Sequence, residues 1–155
     1  MYEDLLRIKD FREQGASTEV TRRHRTLDER TADAERVRQE RETFHVRRLA
    51  REKQLFDDLR GRAVGLRELE EMNQRVSAMR EHEAEMETRV VEANRQVEQA
   101  RADLQDARAK HSESVRELEK FREFIKIQNE AERREQARRE ENEVEEQVSA
   151  SYRQP

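Results

Sequence analysis

The side chains best suited to chemistry in this sequence are four histidines and a large population of carboxylates, and their spacing gives them no reaction to run. His24, His45, His82 and His111 share no metal-ligand spacing with one another. His82 stands between two glutamates, as a histidine in a Glu-rich helix often does, and a solvated imidazole accounts for it. The chain has no cysteine, so no disulfide, thiolate or Cys-based metal site arises, which suits a reducing compartment. No Gly-rich phosphate loop occurs, and no nucleophile is paired with a base. Paired carboxylates need a concave, water-poor site to shift their pKa values. Long helices that bury only a stripe supply none. The sequence predicts no catalytic residue, no metal and no cofactor: this is not an enzyme.

Composition says what the elements must be. Charged residues make up 45% of the 155 residues and apolar residues 32%, with three glycines, one proline and no tryptophan. Such a chain cannot enclose a globular core; it is disordered, or it forms long helices that bury only a stripe. A heptad seam decides for helices. Stepping by threes and fours from residue 69 gives Leu69, Met72, Val76, Met79, Glu83, Met86, Val90, Ala93, Val97, Ala100, Leu104, Ala107, His111, Ser114, Leu118, Phe121 and Ile125. All but Glu83, His111 and Ser114 are apolar, the pattern that holds one face of a helix against a partner helix. At 1.5 Å per residue this seam alone is about 85 Å long.

An earlier arm, about residues 2–60, carries a sparser apolar set that includes Leu5, Leu6, Ile8, Phe11, Val20, Leu27, Ala34, Val37, Phe44, Leu55 and Phe56. Between the arms, Gly61 and Gly65 mark a turn at about 61–66, because glycine is favoured just past a helix C-terminus. Folding there makes facing residues sum to about 130. Leu5 then meets Ile125, Ile8 meets Phe121, Arg12 meets Leu118, Val20 meets His111, Ala34 meets Val97 and Phe44 meets Met86, while Glu83 falls opposite Arg48. Arg23, Arg30 and Arg41 face small residues, with room for their stems along the seam. The fold class expected is all-α: two long helices forming one antiparallel coiled-coil hairpin as a single domain over residues 1–155. Helix 1 covers about 2–60, helix 2 about 67–148, and residues 149–155 form a frayed tail. Poor helix formers at residues 14–18 face polar seam residues at 111–114, where looser packing or a bend is expected.

Basic and acidic residues are interleaved and the net charge is −4, so no broad single-sign face is offered to nucleic acid or anionic lipid. No stretch is apolar enough to span a membrane, and the start lacks a secretory signal pattern. A cytoplasmic monomer is expected. Two surfaces stand out. Met72, Met79 and Met86 recur every seven residues, either as core filler or as adaptable contacts for a changing partner. Phe124 and Ile127 lie off the seam and, with Tyr2, Leu6 and Phe11, give the N-terminal end a second apolar surface. That surface is either a broadened core or a socket for another protein.

The opening Leu5-Leu6-Arg7-Ile8-Lys9-Asp10-Phe11-Arg12-Glu13, with its apolar pair, Ile-Lys step and basic residue, resembles the start of the YscO/FliJ group of type III secretion stalk proteins. The likeness extends to the length, the absence of cysteine and the unequal arms, and it favours the YscO branch. It implies a hairpin similar to the coiled coil of the γ subunit of rotary ATPases, placed in the central hole of the hexameric secretion ATPase at the inner membrane. Partners so implied are that ATPase, the cytoplasmic domain of the export gate and the chaperones of translocator proteins. Leu5, Leu6, Ile8, Phe11, Phe121, Phe124 and Ile127 would then contact the ring. Phe44, Leu55, Phe56, Met72 and Met79 would contact the gate or a chaperone. Two other readings stay open: a generic coiled-coil scaffold dimerising through one continuous helix, and a binding module for apolar segments or nucleic acid.

Overall fold

Residues 2–153 are described by the structure, a computed structural model, and they form two helices: α1, Tyr2–Leu59, and α2, Leu66–Tyr152. Both run unbroken because good helix formers dominate and the one proline lies at position 155, outside them. Ion pairs at i,i+3 and i,i+4 line the outer faces, such as Arg38–Glu35 at 2.6 Å, Arg95–Glu92 at 2.7 Å and Arg36–Glu40 at 3.0 Å. Exposed to solvent, each adds only weakly to the stability of its helix. Glu3, Asp4 and Glu68 stand in first turns, where negative charge meets the positive end of the helix dipole.

The turn occupies residues 60–65, one residue earlier than the spacing of glycines suggests. Its two glycines do different jobs. Gly61 takes φ of +78°, the left-handed conformation that ends α1 without a Cβ clash. Gly65 instead starts α2, its carbonyl accepting the Leu69 amide at 3.3 Å. An Arg62–Glu68 pair at 3.3 Å spans the bend.

The chain divides into two compact units, each made by antiparallel pairing of α1 with α2. One comprises residues 20–107 and holds the turn. The other comprises residues 2–19 and, among the described residues, 108–153. The division falls next to the 14–18 and 111–114 stretches expected to pack loosely.

In the unit at 20–107, Ala34, Met72, Val76, Val97, Ala100, Leu104 and Ala107 are buried. Every α2 seam position there from Met72 onward is buried or half-buried, and only Leu69, beside the turn, is exposed. Arg23 and Arg41 lie half-buried along the seam and reach Asp103 at 3.5 Å and Glu87 at 2.7 Å. Arg30, expected beside them, is exposed.

In the other unit the pairing departs from the sequence expectation. Leu6, Lys9, Glu13 and Ala16 face α2, whereas Leu5, Ile8 and Arg12 are exposed. The expected Leu5–Ile125, Ile8–Phe121 and Arg12–Leu118 contacts are therefore off by one residue on α1. Carrying the 3–4 alternation back from Val20 gives 16, 13, 9, 6 and 2, and helix geometry holds to it even though Leu5 and Ile8 are the more apolar residues. His111 accordingly pairs with Glu13 at 2.9 Å, and Lys9 sits 5.7 Å over the Phe121 ring and 3.8 Å from Glu117. Beyond Gln128, α2 is exposed on all sides. It continues four residues past the end expected at 148, with Ser151 Oγ donating to the Val148 carbonyl at 2.8 Å. The rest of the expected frayed tail includes positions 154 and 155, which lie outside the described residues.

Candidate interaction surfaces

A pair of helices leaves its chemistry on the outside, so the candidate sites are surfaces and one polar cluster in the seam. Among the described residues, no three of His, Asp and Glu converge as metal ligands, and no helix is long and apolar enough to cross a membrane.

At the end bearing the N-terminus, the one-residue shift of α1 has a consequence. Leu5 and Ile8 are 47% and 49% exposed, and Phe124 and Ile127 of α2 are also exposed. Leu5 and Phe124 both immediately precede a seam position, and in an antiparallel pair such flanks lie on the same side. Ile8 and Ile127 extend that side by three residues each. The four make one apolar face, and Phe11 lies farther round α1, 75% exposed. Leu6 and Phe121 are half-buried in the pairing instead. Tyr2 packs edge-on against Phe124 at 5.5 Å and Phe121 stacks on Phe124 at 6.1 Å, so the face rests on an aromatic cluster.

Near the turn, the residues singled out from sequence do not share one surface. Phe56 is exposed, Phe44, Leu55 and Met79 are half-buried, and Met72 is buried. Phe56, Leu59, Val64, Leu69 and Met72 line an open groove at the turn. Phe44 meets the His82 ring edge-on at 4.8 Å. Val46 and Leu49, neither of them assigned a contact from the sequence, are exposed on the same outer side of α1 as Phe56. Their signal was the spacing 46, 49, 56, out of phase with the seam. Val144, Val148 and Tyr152, likewise assigned none, are exposed at i, i+4 and i+8 on the part of α2 that has no partner helix.

The polar cluster lies within the seam. Glu83, at an otherwise apolar position, is buried and reaches His45 Nδ1 at 2.5 Å and Arg48 Nε at 2.8 Å. The Arg48 Nε–H is off-line for that oxygen, so the buried nitrogen gets an ionic contact without an aligned hydrogen bond. Arg48 Nη1 donates to buried Glu52 at 2.8 Å, and Arg80 crosses from α2 to the same carboxylate at 3.2 Å. Arg80, aided by Arg48, holds the Glu52 carboxyl below the usual carboxylate range against the effect of burial. Burial pushes the Glu83 carboxyl up, but the hydrogen bond from His45 and the charge of Arg48 outweigh it, leaving the carboxyl below its ordinary value. Both carboxyls, Glu52 and Glu83, are held in the ionised form.

Comparison with known proteins follows the same lines. Residues 2–150 match the family described as type III secretion protein YscO. The crystal structure of type III secretion protein YscO from Vibrio parahaemolyticus superposes with a TM-score of 0.89 at 30% identity, over 94% of this chain and 92% of that one. No curated relative matches the chain.

Proposed function

This chain belongs to the YscO family of type III secretion proteins, and on that premise we propose that it is the central stalk of a type III secretion apparatus. Its end at Leu5, Ile8, Phe11, Phe124 and Ile127 enters the hexameric secretion ATPase, with Leu6 and Phe121 bracing that face from within. The turn end, through Phe56 and the groove at Leu59, Val64 and Leu69, meets the cytoplasmic domain of the export gate or a translocator chaperone. Met72 supports that groove from beneath. The protein works by positioning and by transmitting contact changes, not by making bonds.

The single observation that carries the reading is the apolar face of Leu5, Ile8, Phe124 and Ile127, left open although half-buried positions lie one residue away. Exposed apolar patches rimmed by charge mark protein interfaces. The test is stimulation of the hexameric secretion ATPase by the purified chain. The wild-type chain raises the hydrolysis rate. Leu5→Asp and Ile8→Asp each raise the concentration needed for half-stimulation by about tenfold or more, the scale of a central contact. Both residues are exposed, so helicity and melting temperature stay unchanged. Normal stimulation by these variants would remove the ring-end assignment.

A further inference from the structure

We propose that residues 140–152 of α2 form a docking helix whose Val144, Val148 and Tyr152 seat in an apolar groove rimmed by lysine or arginine on a partner protein. The inference stands apart from the ring-end reading, because it concerns the part of α2 that α1 never covers. Val144, Val148 and Tyr152 are 57%, 48% and 86% exposed. At i, i+4 and i+8 they share one face of the helix, with Ala137 a further two turns back. Such anchors are how an amphipathic helix enters a groove.

Charge identifies the groove. Between residues 140 and 152 stand Glu140, Glu141, Glu143, Glu145 and Glu146 and no basic residue, whereas residues 133–139 carry four arginines and one glutamate. Among the described residues, the ion pairs of α2 end at Arg139–Glu135, 3.6 Å. Glu141 and Glu145 are like charges at i,i+4, and the last turn has no basic residue to complement the helix dipole. A basic rim would remove both penalties while the apolar floor covers the valines. An anionic lipid surface would add to them. The chain itself carries a basic apolar stripe, Val46, Leu49 and Phe56 among Arg47, Arg51 and Lys53, so a second copy is the competing occupant that the experiment must exclude.

The probe is a three-heptad helical peptide with leucine at a and d and lysine at e and g, titrated into the full chain carrying labelled valine methyl groups. Its partner control has glutamate at e and g. The lysine peptide is expected to shift the Val144 and Val148 signals and leave Val37 unmoved, and the glutamate peptide to shift none. Val144→Asp with Val148→Asp weakens binding at least about tenfold, and Glu141→Gln with Glu145→Gln weakens it about threefold. Equal binding by the valine variant, equal shifts with the glutamate peptide, or no binding overturns the proposal. So do Val144 and Val148 shifts that appear with rising chain concentration alone, together with a doubled sedimenting mass, because the face then belongs to a second copy. The hairpin does not depend on these residues, so a folded variant is assured by its unchanged melt.

Discussion

Glu83 sits where a leucine would pack without needing a partner, and Arg48 and His45 are what make it tolerable. A buried ion pair contributes little net stability over an apolar pair, but removing one member strands the other charge. Its use in a coiled coil is to choose among registers that an all-apolar seam would accept. Sliding α1 by one heptad can set Glu83 against Leu55, with no cation. Arg48→Leu alone is therefore expected to lower the melting temperature by about 5 °C or more, and Arg48→Leu with Glu83→Leu to restore it. The pH dependence follows from the direction of the shifts. Glu52 and Glu83 titrate below the ordinary carboxylate value when folded, so their contribution is complete above that value, about 4.3, and is lost as pH falls through the folded ones. Melts from pH 7 down should show that acid loss in the wild type and a smaller one in the double variant. If Arg48→Leu melts with the wild type, the cluster has no role in holding the seam.

At the scale of the elements, the three glycines make opposite demands. Gly15 lies inside α1 in ordinary helical conformation, and a Cβ built on it meets nothing within 4 Å. Gly15→Ala should stabilise by about 0.5–1 kcal/mol, read as a rise in melting temperature. At Gly61 the added Cβ also meets nothing, but φ is +78°, so Gly61→Val should destabilise by about 1–2 kcal/mol through backbone strain alone. Equal melts for the two variants would contradict this assignment of the turn. The seam of α2 was legible in the sequence because an unbroken 3–4 alternation has one phase, and each position from Met72 to Ile125 is buried or half-buried. The start of α1 was not. Leu5 and Ile8 outweigh Leu6 and Lys9 in hydrophobicity, yet helix geometry fixes the inward stripe from Val20 backward. The surfaces were legible only in part for the same reason: Met72 reads as a contact residue by spacing, while its burial is set by both helices together.

For the molecule as a whole, the question is whether α1 and α2 of one chain remain paired with each other in solution or exchange with a second copy. The seam itself cannot discriminate, since a swapped dimer makes the same contacts. The turn does. Six residues joining two helices hold the arms at an effective concentration on the order of millimolar, so exchange loses at micromolar protein. Straightening the turn would also require Gly61 to leave its left-handed conformation and the Arg62–Glu68 pair to break. Two spin labels in one chain, at Val37 on α1 and Ala93 on α2, should therefore report a separation of about 1–2 nm, the distance between packed helices plus label arms. Mixing labelled chain with a tenfold excess of unlabelled chain, unfolding and refolding together, leaves that distance intact if the pairing is within one chain. A swapped dimer would place the partner label on an unlabelled molecule, and the short distance would vanish with dilution. Retention of the distance, with sedimentation at the 18.7 kDa mass of one chain, identifies the working unit as a single hairpin.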